Sequence, residues 1–167
     1  MTQPKSLILG LGNDLISDDG FGPTVATHCR GALADRTDVA VLDASVAGFH
    51  LLDLLSGYRR ALIVDVIQTG RFRPGTLLAW PIASAAAART LGGSHQADLA
   101  TTLALGRAMG QQLPTSIDLL VAEAEDLLTV REGLTREVEA AVPLAVDMAR
   151  RWVEDGVLPA SSRGGEP

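Results

Sequence analysis

The sequence is poor in the residues that cross-link proteins and in those that read nucleic acid. Its one cysteine, Cys29, excludes an intramolecular disulfide and any multi-cysteine zinc or iron–sulfur site within one chain, and suits a reducing compartment. Aromatic residues are only 4% of the chain, so Leu, Val, Ile and Ala must fill its core, a palette suited to buried parallel strands flanked by helices. The 14 basic residues are outnumbered by 20 acidic ones and are not clustered. A net charge of −6 would repel a phosphate backbone, so no nucleic-acid partner is expected. No apolar run approaches the ~18 residues that span a bilayer. Met1 to Ser6 also lacks the basic-then-apolar pattern of a signal peptide. The expectation is a cytoplasmic protein without membrane insertion.

What is present is enough for one substantial core: 167 residues of which 47% are hydrophobic. Leu7 to Gly12 reads as a short strand ended by glycine, and Gly20 to Ala34 as a helix with Val25, Cys29 and Leu33 on one side. Asp38 to Ala44 is the next expected strand, followed by a helix in Gly48 to Tyr58. Ala61 to Ile67 is a nearly continuous apolar run, as in a central strand buried on both faces. Thr76 to Ile82 is a further strand, placed at an edge or strand end by Pro81. A helix over Ala97 to Met109 and a strand over Ile117 to Ala122 follow.

The last helix is expected from an N-cap at Thr135. It carries Val138, Ala141, Val142, Ala145, Val146, Ala149, Trp152 and Val153 as an apolar stripe, with Pro143 expected to interrupt and kink it. The order points to an α/β fold: one three-layer domain over 1–158, with a mostly parallel twisted sheet of about five strands and helices on both faces. The Gly, Ser and Pro-rich 159–167 is expected to be a disordered tail.

In such a sheet, ligands bind beyond the carboxyl ends of the strands. Asp18 and Asp19 follow the first strand, Asp43 ends the second, Asp65 lies late in the third, and His95 follows Gly92-Gly93-Ser94 in the loop that precedes a later helix. A carboxylate inside the run 62–67 is costly to bury without a partner or a cation. Asp18 and Asp19 can each either cap the helix that follows or serve a site. His28 and His50 fall in helical stretches, where a bland role is the simpler reading, and Cys29 reads as core. Two carboxylates and an imidazole would suit a divalent first-row metal, and nickel accepts such mixed donors.

Several familiar chemistries fail on the residues. Gly10-Leu11-Gly12-Asn13 invites a dinucleotide reading, but Leu15 stands where the third glycine of G-x-G-x-x-G belongs. There is no P-loop and no G-x-S-x-G nucleophile elbow.

The run Gly10-Leu11-Gly12-Asn13-Asp14-Leu15-Ile16-Ser17-Asp18-Asp19-Gly20-Phe21-Gly22 resembles the amino-terminal signature of nickel–iron hydrogenase maturation endopeptidases, in essence G-x-G-N-x-L-x-x-D-[DE]-G-x-G. Val39 to Asp43, Leu62 to Asp65, Ser94-His95-Gln96 and Gly133 to Val138 follow in the family's order. The resemblance covers roughly residues 6 to 153. It implies a metal site of Asp19, Asp65 and His95, with Asp19 and Asp65 catalytic, and substrate contacts at Asn13 and Asp43. Around Asp43 the family often has Gly-Gly-Thr or Gly-Thr, whereas this chain reads Asp43-Ala44-Ser45-Val46.

The implied substrate is the precursor large subunit of a nickel–iron hydrogenase. Its nickel would be recognised but not retained, and its C-terminal extension would be cut after a basic residue. Two other readings use the same side chains: a nickel-sensing chaperone that holds the precursor without cutting it, and an unrelated α/β hydrolase with a resident metal.

Overall fold

The computed structural model describes residues 5–45, 49–82 and 94–158, apart from the side chains of 49 and 94–98. The expected tail therefore lies outside the described residues, as does the loop before the His95 helix.

Five strands form one sheet in the order β2-β1-β3-β5-β4. In chain order they are β1 (Ser6–Leu11), β2 (Val39–Ala44), β3 (Arg60–Ile67), β4 (Leu77–Pro81) and β5 (Ser116–Glu123). All neighbours are parallel except β4, which runs antiparallel to β5 at the edge. That position suits Pro81, whose missing N–H would break an interior ladder. Among the described residues the helices are α1 (Phe21–Ala32), α2 (Phe49–Leu55), α3 (Ser94–Ala108) and α4 (Arg136–Asp155), and a 3₁₀ turn, Ser17–Gly20, leads into α1.

Strand alternation divides the core between the two faces. Ile8, Leu62, Val64 and Leu120 point to the side covered by α1 and α4, through Phe21, Val25, Cys29, Val142, Ala149 and Trp152. Leu7, Leu9, Ile63 and Leu119 point to the other side, against Leu52 and Leu55 of α2 and Leu99 and Leu103 of α3. The domain thus has the expected three layers. Cys29 is core, and burial pushes its thiol up to about 11, so it is inert as a nucleophile at neutral pH. His28 and His50 are exposed.

Helix α4 departs from expectation in two ways. It runs unbroken through Pro143. Pro143 faces solvent, so its ring takes no space in the packed face of the helix. The buried stripe also includes Met148, while Val146 is only partly buried.

At the amino end of the sheet Arg60 fastens the C-terminus of α4. Its Nη1 and Nη2 donate to the carbonyls of Trp152 (3.0 Å) and Val153 (2.8 Å), and its Nε to Ser6 Oγ (2.8 Å). The guanidinium lies 4.5 Å from the Trp152 ring centroid, and Trp152 Nε1 donates to Asp118 Oδ2 at 2.8 Å.

Candidate active site

The sheet order makes the carboxyl ends of β1 and β3 the place where the chain's direction of winding reverses, since β1 leads to β2 on one side and has β3 on the other. Such a switch point leaves a crevice. The β1–β3 ladder stops at the pair Gly10–Val64, whereas β3 stays paired with β5 through Ile67. Asp65 is thus the first residue of β3 beyond its ladder with β1, with Val121 of β5 as its remaining paired neighbour.

Glycines bring the other wall close. A Cβ on Gly10 would strike the carbonyl of Gly22, and one on Gly22 would strike Leu11 and lie 2.6 Å from the Val64 carbonyl. The first turn of α1 therefore rests directly on the ends of β1 and β3. Gly12 (φ 138°) lies against the carbonyl of Asp19, which folds the turn carrying Asp19 back over the strand end.

The two neighbouring aspartates do different work. Asp18 is fully buried. Its Oδ2 accepts the N–H groups of Glu125 (2.8 Å) and Asp126 (2.9 Å) and the Thr135 hydroxyl (3.0 Å), while Oδ1 accepts the Thr135 N–H (2.7 Å). It ties the loop after β5 and the start of α4 to the Asp19 turn. Neither aspartate caps α1, whose N-cap is Gly20 without a side-chain bond. Thr135 is the N-cap of α4, but its hydroxyl is directed to Asp18 and not to its own helix.

Asp19 is partly open and accepts the Asn13 N–H through Oδ2 at 2.8 Å. Asn13 in turn accepts the Leu15 N–H through Oδ1 at 3.0 Å, an Asx turn that shapes the loop. Asp65, also partly open, accepts the Val66 N–H at 2.8 Å. Burial pushes its carboxyl up from the ordinary 3.8 to about 7, against the lowering effect of that hydrogen bond, and the nearby Asp19 raises it further. Two carboxylates facing one crevice, one of them exchanging its proton near neutrality, can bind a cation or divide proton transfers between them.

The helix begins at Ser94 and not at Ala97, so His95 lies on the first turn of α3 and not in the loop before it; its side chain is outside the described residues. Among the described residues no three His, Cys, Asp or Glu side chains gather as a metal cluster, so the described carboxylate pair is Asp19 and Asp65. Asp43 stands on the edge strand, exposed and ion-paired with Arg30 of α1.

One supporting residue escapes a reading of the sequence. Glu123, buried at the end of β5, accepts the N–H groups of Thr69 and Gly70 (both 2.7 Å) and the Thr69 hydroxyl (2.9 Å), fixing the loop that leaves β3 two residues after Asp65. Its signal was available: a carboxylate directly after the apolar run 117–122, the same placement that marks Asp65.

The paired carboxylates thus lie at the switch point of a five-stranded, mostly parallel α/β domain. A family model described as hydrogenase maturation protease matches residues 23–152. The hydrogenase 2 maturation protease of Escherichia coli K12 is 32% identical over 146 residues, covering 86% of this chain and 87% of that protein. The hydrogenase expression/formation protein HoxM of Cupriavidus necator is 31% identical over 152 residues, 86% of this chain and 73% of that one. Among solved structures, the hydrogenase maturating endopeptidase HybD from E. coli superposes with a TM-score of 0.73 at 27% identity, over 96% of this chain and 99% of that one. The chain belongs to the hydrogenase maturation protease family. Among the described residues no helix is long and apolar enough to cross a membrane.

Proposed function

We propose that this chain is the endopeptidase that removes the C-terminal extension from a nickel-loaded precursor of a nickel–iron hydrogenase large subunit. The observation that carries the proposal is the meeting of Asp19 and Asp65 at one crevice, in a chain of this family. Nickel arrives as cargo of the precursor and is not kept. Asp19, Asp65 and the imidazole of His95 are a donor set suited to it, so the ion gauges whether the precursor is ready and brings its tail to the crevice.

Amide hydrolysis needs a proton taken from the attacking water and one delivered to the departing amine. Asp19 and Asp65 share that work, and His95 serves mainly to bind the ion. Asn13, whose Oδ1 is committed to Leu15, offers its Nδ2 to a substrate carbonyl, and Asp43 meets the substrate at the outer rim.

The test is mass spectrometry of nickel-loaded and nickel-free precursor after incubation with the purified protein. The nickel-loaded precursor alone should lose its C-terminal peptide, and Asp19→Asn should slow the loss by about 10³-fold. A wild-type protein that binds loaded precursor without changing its mass is a chaperone, and an Asp19→Asn variant cutting at full rate would remove that residue from the chemistry.

A further inference from the structure

The loop from 124 to 134 combines a tightly held backbone with apolar side chains in water. Asp18 accepts the N–H groups of Glu125 and Asp126, and Asp126 Oδ1 accepts those of Leu128 and Thr129, both at 3.0 Å. Further along, the Arg131 N–H donates to the Leu15 carbonyl (2.9 Å) and the Ser17 N–H to the Arg131 carbonyl (2.8 Å). These two bonds form an isolated parallel bridge between Ile16 and Arg131. Arg131 Nη2 adds a bond to Ser17 Oγ at 3.1 Å.

On this frame Leu128 is 88% exposed and Val130 83% exposed, and the bridge register sets Leu15, 52% exposed, beside Val130. A single exposed leucine needs no explanation. Three large aliphatic side chains on two loops pinned to each other make an interaction patch, because the pinned backbone cannot turn them inward.

We infer that Leu15, Leu128 and Val130 form a docking surface for the folded body of the precursor, seated beside the crevice while its tail enters it. The inference rests on the function proposed above. Two observations select this occupant. The patch is continuous with the site, since Leu15 lies in the segment between Asn13 and Asp19, and Asp18 joins both loops. It is also rimmed by acid: Asp14, Glu125, Asp126 and Glu132 outnumber Arg131 along the same two loops. The matching partner face is apolar with a basic rim, and that charge pairing makes docking faster and dependent on salt.

The experiment uses the full chain carrying Leu128→Ser and Val130→Ser, two exposed positions whose replacement leaves the fold intact. The substrate is the nickel-loaded large-subunit precursor from the same organism. The surface predicts a KM raised about tenfold with kcat within about twofold of wild type, and a matching rise in the Kd of the precursor measured in parallel. An unchanged KM and Kd with normal cleavage would overturn the surface and leave the proteolytic reading intact. Weaker binding by the variant, with no cleavage even by wild type, would uphold the surface and overturn the proteolytic reading. A precursor that does not bind wild type at all overturns both.

Discussion

The two ends of the sheet spend charged groups in opposite ways. At the amino end, Arg60 directs its nitrogens to Ser6 and to the last carbonyls of α4 and lays its plane over Trp152. The cation there is absorbed by structure, closing a helix terminus that would otherwise end in unsatisfied carbonyls. At the carboxyl end the division is finer. Asp18 is saturated by four donors, while Asp19 and Asp65 each accept a single backbone N–H and stay partly open to water. A carboxylate that holds the fold and one that is free to act can be adjacent in sequence; the number of fixed donors around each tells them apart.

The comparison can be broken at the amino end first. Arg60→Ala removes a cation–π contact and two helix-end hydrogen bonds, and should cost about 3 kcal/mol by urea unfolding. Precursor cleavage per folded molecule should remain at the wild-type level. A cleavage loss as deep as that of Asp19→Asn would show that the two ends are not independent.

Asp65→Asn should have the opposite sign. The folded-state pKa of Asp65 is raised to about 7, so the cost of its charge is absent below pH ~4 and grows as pH rises through 7. The variant lacks that charge. It should therefore be more stable than wild type at pH 8 by about 2 kcal/mol, less than the full shift would give because Asp65 is partly open to water. The difference should vanish by pH 4, and activity should be lost. Urea midpoints at the two pH values check this, and a variant less stable at both would show that burial is not what raises the group.

The smallest effect belongs to Asp43→Asn. An exposed ion pair with Arg30 is worth at most about 0.5 kcal/mol. A raised KM at unchanged stability would mark Asp43 as a substrate contact, and an unchanged KM would leave it as a surface ion pair.

The strands and both helical layers were legible in the apolar runs, because burial on two faces leaves a nearly uninterrupted signal such as 61–67. Asp65 stood out for the same reason, as a charge where charge is costly. The order of the strands was not legible, nor was the separation of Asp18 from Asp19. The donors that claim Asp18 lie at Glu125, Asp126 and Thr135, more than a hundred residues away. Contacts of that span leave no local pattern. Glu123 carried a local signal, a carboxylate at the end of an apolar strand, but what it holds did not show: its partners, Thr69 and Gly70, sit more than fifty residues earlier in the chain. Pro143 does not interrupt the helix, since a proline removes one hydrogen bond of a long helix and leaves the rest in place.

The pairing of Asp65 with Val121 and the anchoring of Asp18 by residues up to Thr135 also set an order in time. Both crevice carboxylates, Asp19 and Asp65, are made before β5. The strand beside Asp65 and the loop that anchors Asp18, next to Asp19, come only after position 115. Parallel pairing across such separations is slow to form and cannot begin before both strands exist. A chain stopped short of β5 would carry both aspartates without the strand beside Asp65 or the loop that anchors Asp18.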